Sequence, residues 1–285
     1  MKENLTIAVA SGKGGTGKTT IATNLSNALK DKLRVQLIDC DVEEPNSHLF
    51  INPSFDEQED VKILVPEIDA DKCKKCGICT EFCQFNAITR MGDQIMTFPE
   101  LCHGCGGCTY LCPEDAIREV GKTIGRIEKG KANNIEFIHG KLEIGTPLAP
   151  PIIKRLKMDI DQDSLTIIDA PPGTSCPVVV TLYDVDFVLL VTEPTLYGLH
   201  DLELMVKVVE KLDIPYGVII NRADMGRDNV QQFCQENNIP IMMEVPFKRE
   251  YAGYYAKGDL IGEHDLQFKE ELGQIYQQII RGLKR

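Results

Sequence analysis

The sequence predicts an α/β protein with a parallel sheet covered by helices on both faces, interrupted by a smaller inserted domain. Three observations lead to this prediction. Short apolar segments rich in β-branched residues alternate with amphipathic helical patterns along most of the 285 residues. A glycine-rich loop lies between the first apolar segment and the first helical pattern. Between residues 62 and 123 this alternation stops, and a cysteine-rich repeat replaces it.

The apolar segments are predicted to be parallel strands because each is short and is separated from the next by a helical pattern or the inserted repeat. They lie at 5–10, 35–40, 165–168, 187–191 and 216–220. Helices are predicted directly after the glycine loop and at about 152–158, 198–212, 228–237 and 265–283. The chain from about 124 to 160 is expected to return to the main sheet. The predicted domains are therefore 1–61 joined with 124–285, and an insertion at 62–123.

Composition restricts the classes of function. Hydrophobic residues make up 43% of the chain and charged residues 26%, which is ordinary for a globular protein. No apolar segment reaches the roughly 18 residues that a membrane span needs. The net charge of −12 argues against a sequence-independent grip on nucleic acid. The N-terminus leads into the first predicted strand without a signal peptide, so we expect a cytoplasmic protein with no nucleic-acid or membrane partner.

The glycine loop has the pattern that binds phosphate. Residues 12–19, GKGGTGKT, match G-x4-G-K-[ST] between a predicted strand and a predicted helix. Backbone N–H groups of such a loop and of the helix N-terminus stabilise phosphate oxygens. Lys18 is expected to reach the β and γ phosphates, and the Thr19 hydroxyl to coordinate Mg²⁺. The predicted nucleotide-binding residues here are Gly12, Lys13, Gly14, Gly15, Thr16, Gly17, Lys18, Thr19 and Thr20.

Eight of the eleven cysteines form two runs with the spacing C-x2-C-x2-C-x3-C. The runs repeat with a period of 29 residues and comprise Cys73, Cys76, Cys79 and Cys83, then Cys102, Cys105, Cys108 and Cys112. Cysteines in such runs favour metal binding or redox chemistry over disulfide bonds. Two zinc sites are the alternative, but zinc sites built from C-x2-C pairs do not account for the third and fourth cysteine of each run. Clusters that only hold a small domain together are an alternative to an electron relay.

The segment 62–123 resembles bacterial-type ferredoxins, small α+β proteins with two [4Fe–4S] clusters. In them the fourth cysteine of each run binds the other cluster. The resemblance therefore implies one cluster on Cys73, Cys76, Cys79 and Cys112, and a second on Cys102, Cys105, Cys108 and Cys83. Pro113 follows Cys112 as in that family, but Gln84 follows Cys83, so the loop after Cys83 is expected to be looser.

The rest of the chain resembles the MinD superfamily of P-loop ATPases. Lys13, a second lysine early in the loop, is typical of its deviant Walker A group, which includes MinD, ParA and the nitrogenase iron protein. Residues 39–46 resemble the switch I of that group. Residues 167–173, IIDAPPG, resemble its Walker B motif and switch II, and 221–222 fall where it places a base-contacting asparagine. The chain as a whole resembles such an ATPase with an inserted ferredoxin domain.

This resemblance implies a dimer of identical or similar subunits that closes around two ATP molecules. Lys13 would reach the partner's phosphates, as an arginine finger does. Lys18 would neutralise phosphate charge, Asp41 would orient the attacking water, and Asp169 would hold Mg²⁺ through its water shell. For Asp41, a solvated carboxylate at a strand end is the alternative.

Three further features leave alternatives open. Asn221 and Arg222 are expected at the base of ATP, but Asp224 faintly resembles a guanine-reading aspartate, so GTP is the alternative. Cys176 follows switch II and is expected to be structural, with a ligand shared between subunits as the alternative. The helix at 265–283, which leads to Lys284 and Arg285, is expected to pack on the core, with membrane anchoring as in MinD as the alternative.

Our leading hypothesis from the sequence is an ATPase whose nucleotide-switched dimer gates electron transfer through two [4Fe–4S] clusters to a partner protein. An iron–sulfur or metal-cofactor carrier related to Mrp-type scaffolds is one alternative, although those hold a bridging cluster on a C-terminal C-x-x-C that this chain lacks. A positioning ATPase like MinD or ParA, with clusters that sense redox state, is another.

Overall fold

A nine-stranded mixed sheet runs through the centre of the protein, for which a computed structural model describes residues 5–283. The described strands are β1 (Leu5–Ala10), β2 (Val35–Asp39), β3 (Ser54–Ile68), β4 (Ile88–Met91), β5 (Gln94–Thr97), β6 (Ile117–Ala132), β7 (Ile135–Leu142), β8 (Leu165–Asp169), β9 (Phe187–Thr192), β10 (Tyr216–Asn221) and β11 (Ile241–Val245). The described helices are α1 (Lys18–Leu29), α2 (His48–Ile51), α3 (Ile78–Phe82), α4 (Gly107–Tyr110), α5 (Ala149–Lys157), α6 (Cys176–Leu182), α7 (Leu196–Lys211), α8 (Asn229–Glu236), α9 (Arg249–Lys257), α10 (Ile261–His264) and α11 (Leu266–Leu283).

The α/β prediction is confirmed. The strand order is β11-β10-β9-β1-β8-β2-β7-β6-β3, and the pairs from β11 to β7 are parallel. The carboxyl ends of β1, β2 and β8 therefore meet at one edge of the sheet, where ligands of open α/β sheets bind. The basic residues Lys284 and Arg285, to which the last predicted helix leads, lie outside the described residues. None of the described helices combines the length and apolar character needed to cross a membrane.

Alternation along the strands divides the core into two layers. In β1, Ile7 and Val9 face the layer with α1 and α11, whereas Ala8 and Ala10 face the layer with α5, α6, α7 and α8. The first layer includes Phe268 and Leu272 of α11, so the apolar stripe of that helix packs on the core as expected. Burial of both faces of the sheet is the arrangement that parallel strands require.

One edge of the sheet corrects the prediction of a wholly parallel sheet. β6 runs antiparallel to β7, and β3 runs antiparallel to β6 as the outermost strand. The first seven residues of β3, SFDEQED, are all exposed, so this strand carries no hydrophobic alternation that could have predicted it. Charged side chains on an edge strand also discourage pairing with another chain.

The cysteine-rich repeat lies at the far end of the long β3–β6 hairpin. Residues 69–116 form α3, the small β4–β5 hairpin and α4, around a small core of Val65, Ala87 and Cys102. The predicted domain limits fall inside the hairpin, because Lys62 pairs with Thr123 in its register. The two strands therefore run without interruption from the main sheet into the cysteine-rich segment.

Candidate nucleotide and cysteine sites

The phosphate-binding loop joins β1 to α1, as its motif predicts. Gly15 and Gly17 have φ values of 79° and 102°, the left-handed region that favours glycine. Gly12 is required for another reason: a Cβ there would lie 2.4 Å from the carbonyl oxygen of Asp201 in α7. Lys18 begins α1, and its side chain is largely buried. Burial lowers the pKa of Lys18, against the raising effect of Asp169 and other nearby carboxylates.

Two buried carboxylates lie side by side beneath this loop. Asp39 ends β2, Asp169 ends β8, and the two are partners in the register. Asp39 accepts hydrogen bonds at 3.0 Å from the backbone N–H groups of Asp41, Asn46 and Ser47. Burial and the neighbouring Asp169 raise the pKa of Asp39 well above its usual range. Asp39 therefore fixes the loop that carries Asp41, a role that we did not assign from the sequence.

Asp169 has the environment expected of a group that interacts with a hydrated cation. Its Oδ2 accepts a hydrogen bond from the Ser47 hydroxyl at 2.9 Å. Burial raises the pKa of Asp169, against the lowering effect of a Thr19 side-chain hydrogen bond and of the Lys18 charge. Its Oδ1 is buried without a hydrogen-bond partner among the described residues. Because a buried carboxylate oxygen without a partner is costly, this atom and the Thr19 hydroxyl fit a Mg²⁺ ion and its water shell.

A cavity of about 460 Å³ opens beside these groups. It is lined by residues of the loop and of α1, by Asp41 and Asn46, by Asn221 and Arg222, and by residues 245–248 together with Tyr251. Burial, followed by the charge of Asp169, raises the pKa of Asp41 to about 6. The structure thus brings Lys18, Thr19, Asp41 and Asn221 to one cavity, although they are separated by as many as 203 positions in the sequence.

Asn221 contacts the phosphate loop directly. Its Nδ2 donates to the carbonyl oxygen of Thr16 at 2.8 Å, and its Oδ1 accepts the N–H of Arg222 at 3.0 Å. Asp224 accepts the backbone N–H of Phe247 at 2.6 Å, so this carboxylate holds a wall of the cavity. The asparagine therefore supports the loop in addition to lining the expected base site.

Lys13 points away from the cavity and toward Glu193. Its Nζ lies 3.6 Å from Glu193 Oε2, and Arg222 Nη1 contacts the other oxygen of the same carboxylate. The Glu193 side chain is only 10% exposed. Glu193 follows β9 and carried no signal in the sequence, because its two cationic partners lie 180 and 29 positions away.

The eight cysteines of the repeat gather into two groups of four. One cavity is lined by Cys73, Cys76, Cys79 and Cys112, and another by Cys83, Cys102, Cys105 and Cys108. Each group takes three cysteines from one run and the fourth from the other. Gly77 and Gly106 precede α3 and α4 with φ values of 88° and 71°, which allows the tight turn between successive cysteines.

The chemistry of these groups suits thiolates that bind a metal cluster. The N–H groups of Gly104 and Ala116 each lie 3.4 Å from a sulfur, those of Cys102 and Cys112. Burial raises the pKa of Cys79, so an electropositive partner is needed to hold this thiolate. Within residues 5–283, no three His, Cys, Asp or Glu side chains are arranged to hold a single metal ion.

The remaining cysteines lie apart from these groups. Cys40 and Cys234 are buried in the core, as expected for small apolar side chains. Burial raises the pKa of Cys234 to about 11, which keeps it a thiol. Cys176 is exposed at the start of α6.

Comparison with known proteins gives sequence relatives along most of the chain. A family model described as the CobQ/CobB/MinD/ParA nucleotide binding domain matches residues 7–261. Two uncharacterized proteins of Methanocaldococcus jannaschii are 33% and 32% identical, over 91% and 96% of this chain and 92% and 95% of theirs. An iron–sulfur cluster carrier protein of Pyrococcus horikoshii is 26% identical, over 84% of this chain and 73% of that protein.

Solved structures show the same fold at low identity. The cell division ATPase MinD of Pyrococcus furiosus has a TM-score of 0.59 at 19% identity, over 97% of this chain and 99% of that one. The septum site-determining protein MinD of Pyrococcus horikoshii, complexed with Mg-ADP, has a TM-score of 0.58 at 19% identity, over 99% and 98%.

Proposed function

This chain belongs to the CobQ/CobB/MinD/ParA nucleotide-binding family, and we propose that it is an ATPase whose nucleotide-switched dimer gates electron transfer through two [4Fe–4S] clusters. The clusters lie in the inserted segment 62–123, and electrons pass to a partner protein. One observation carries the proposal: the cysteines form two sets of four, each drawn from both halves of the repeat. That exchange of the fourth cysteine is the ligand arrangement of two-cluster ferredoxins.

At the nucleotide site, different residues have different roles in ATP hydrolysis. The loop N–H groups and Lys18 hold the phosphates, and Asp41 orients the water that attacks the γ-phosphate. Lys13 leaves Glu193 to reach the phosphates of the partner subunit. Thr19, and Asp169 through water, would hold Mg²⁺, which would supply charge neutralisation on the phosphates. Asn221 and Arg222 border the adenine base. The hydrogen bond from the Phe247 N–H supports ATP over GTP, because it ties Oδ1 of the Asp224 carboxylate to the backbone.

In the cysteine-rich segment the chain's own groups hold and insulate the clusters. Cys73, Cys76, Cys79 and Cys112 bind the first, and Cys102, Cys105, Cys108 and Cys83 bind the second. N–H groups directed at the sulfurs stabilise the anionic cluster and tune its potential. When bound, the clusters accept and donate single electrons. A reducing compartment preserves such thiolates, so we place the protein in the cytoplasm.

The proposed partners are a second ATPase subunit and a redox protein. Two relatives of this chain occur in one organism, M. jannaschii, and both align along most of their length. That pair supports a heterodimer of similar chains as well as a homodimer. The acidic net charge of −12 supports a protein partner over nucleic acid.

An iron–sulfur carrier is the second candidate function. The relative from P. horikoshii that is named an iron–sulfur cluster carrier protein favours it. The two functions differ in what leaves the protein: a relay loses electrons and keeps its iron, whereas a carrier gives the cluster to an acceptor.

The test begins with anaerobic purification and counting of iron, for which we expect about eight atoms per chain, four for each set of four thiolates. The reduced protein is then mixed with a soluble one-electron acceptor, without nucleotide, with ADP and with ATP. The proposal predicts that ATP changes the rate of cluster oxidation while iron stays bound. Loss of iron to an apo-ferredoxin would favour the carrier, and stoichiometric zinc would contradict both.

A further inference from the structure

A cluster of aromatic and imidazole rings lies between the nucleotide site and the hairpin that carries the cysteines. This ring cluster consists of His48, Phe55, Phe137 and His139. His139 is at its centre and is fully buried. The centroid of its ring lies 5.1 Å from that of His48, 5.0 Å from that of Phe55 and 5.3 Å from that of Phe137. Rings packed at these distances move together, because protein interiors are too dense to let one shift alone.

One end of the ring cluster is attached to the nucleotide site. His48 begins α2 directly after Ser47, and Ser47 is bonded to both buried carboxylates there. Its N–H donates to Asp39 at 3.0 Å and its hydroxyl donates to Asp169 at 2.9 Å. The Ser47 hydroxyl bonds Oδ2 of the carboxylate whose partnerless Oδ1 fits a nucleotide-bound cation and its water shell, so such a cation acts on the group that Ser47 holds. A change at the nucleotide site therefore acts on the residue next to His48.

The other end of the ring cluster is the root of the long hairpin. Phe55 in β3 stacks on His139 with 19° between the ring planes. Glu128 in β6 is the register partner of His139 and bonds its Nε2 at 2.8 Å. His139 lies in β7 and thus contacts both β3 and β6, the two strands of the hairpin.

From this root the hairpin leads directly to the cysteines. β3 and β6 remain paired from Ser54–Lys131 to Ile68–Ile117. Beyond them the N–H of Asp69 donates to the carbonyl of Ala116 at 2.8 Å, and the N–H of Cys73 donates to the carbonyl of Asp69 at 3.0 Å. A tilt of the hairpin root therefore displaces the cysteine groups at its end.

The hydrogen bonds of two ring nitrogens in the ring cluster are not made among the described residues. Nδ1 of His48 and Nδ1 of His139 are buried without a hydrogen-bond partner among the described residues. Burial lowers the pKa of His139 to about 4, so its ring is neutral at pH 7. With Nε2–H directed at Glu128, its Nδ1 is an acceptor with no donor. Unpaired buried groups of this kind are costly, so a rearrangement of the rings that gives these nitrogens partners would recover that cost.

We propose that His48 and His139 form the two-state element that transmits the state of the nucleotide site to the cysteine-bearing hairpin. His48 is a positioning residue: it acts through His139, which holds Phe55 and Glu128. This inference rests on the proposed function, because it assumes that nucleotide and clusters are both bound. Coupling between two sites requires a structural element whose equilibrium both sites bias, and the ring cluster is in contact with both.

The test compares His48→Ala with wild type and with a matched control, His264→Ala. His264 also stacks on an aromatic ring, Tyr254 at 4.2 Å, but lies outside the ring cluster. Amide hydrogen exchange of β3 and β6 is measured in the cluster-loaded protein with and without a non-hydrolysable ATP analogue. We expect the analogue to change the amide exchange rate of β3 and β6 at least about fivefold in wild type and in the control. About fivefold is the lower end of the usual coupling between two sites. In His48→Ala the analogue should still bind, but the change should disappear.

The outcomes separate this inference from the proposed function. A wild-type protein that binds no nucleotide or no iron contradicts the proposed function. A wild type that binds both, yet shows no exchange response or a response that survives in His48→Ala, overturns the ring cluster as transmitter. Phe55→Ala provides a second variant, since Phe55 is 43% exposed and its loss leaves the core intact. It should also abolish the response, and a full response in this variant would equally overturn the inference.

Discussion

Lys13 Nζ lies 3.6 Å from Glu193 Oε2, so the lysine that is typical of this family's phosphate loop is paired inside its own subunit. Arg222 contacts the same carboxylate and holds it in place. The ion pair must open before Lys13 can reach the phosphates of a partner subunit. In the proposed dimer, Glu193 would therefore compete with the partner's nucleotide for this cation.

The first prediction concerns Lys13. Lys13→Ala should bind ATP within a few-fold of wild type, because the side chain does not line the nucleotide cavity. Hydrolysis should fall about a hundredfold or more, since a cation is lost from the transition state. Phosphate release is measured over a range of protein concentrations, with Lys32→Ala, an exposed lysine, as the control. Hydrolysis at the wild-type rate in Lys13→Ala would rule out the role in the partner's site.

The second prediction concerns Asn221. Asn221→Ala removes the hydrogen bond to Thr16 and should weaken binding of ATP and of inorganic triphosphate alike, each by about tenfold for one hydrogen bond near 1.4 kcal/mol. Calorimetric titration with both ligands makes the comparison. If only ATP binding weakens, Asn221 acts on the base and not through the loop.

The third prediction concerns pH. Burial raises the pKa of Asp41 to about 6 in the folded protein, against about 3.9 in the unfolded chain. The folded state thus binds this proton more tightly, and stability is lost as pH rises from about 4 to about 6. Asp41→Asn has no carboxylate to ionise, so its stability does not change in this way. The unfolding free energy of Asp41→Asn minus that of wild type should therefore increase from about pH 4 to about pH 6, by about 1–2 kcal/mol after allowance for solvent screening.

Urea unfolding of the nucleotide-free protein at several pH values measures this difference, with Asp93→Asn as an exposed control. A difference that is constant with pH would show that Asp41 ionises normally. The same variant should lose ATP hydrolysis, because an amide cannot orient the water as a carboxylate does.

The fourth prediction tests the exchange of the fourth cysteine between the two sets. Cys79→Ser and Cys112→Ser should each lose about four iron atoms, and the double variant should lose no more than either, because both serve one cluster. Cys79→Ser combined with Cys83→Ser should lose about eight, since it damages both clusters. Cys176→Ser is the control, and a loss of iron in that variant would give Cys176 a ligand role. Additive losses in the Cys79–Cys112 pair would contradict the assignment.

Much of the nucleotide site could be predicted because its signals are local in the sequence. Lys18 and Thr19 stand at fixed positions between one strand and one helix, so a single segment determines their geometry. The cysteine spacing is local in the same way. Asp169 was placed by a short motif that ends a strand, and parallel pairing brings strand ends together.

What could not be predicted depends on contacts between distant segments. The first half of the edge strand β3 is exposed and charged, so it lacks the alternation of apolar and polar residues that predicts a strand. The sequence therefore does not predict the antiparallel edge of the sheet. Ser47 reaches Asp169 across 122 positions, and no local pattern marks that bond. The ring cluster likewise assembles from α2, β3 and β7, with Glu128 of β6 beside it, and each of its residues alone is an ordinary aromatic or histidine.

A redox titration measures whether the nucleotide and the clusters are coupled. Reduction potentials of the clusters are measured without nucleotide, with ADP and with a non-hydrolysable ATP analogue, and nucleotide affinity is measured for oxidised and reduced protein. If the two sites are coupled as proposed, the ATP analogue shifts the reduction potential, and reduction changes nucleotide affinity by an equal free energy, about 1–3 kcal/mol by linkage. Potentials that are identical in all three states, with one affinity for both redox states, would contradict the proposed coupling.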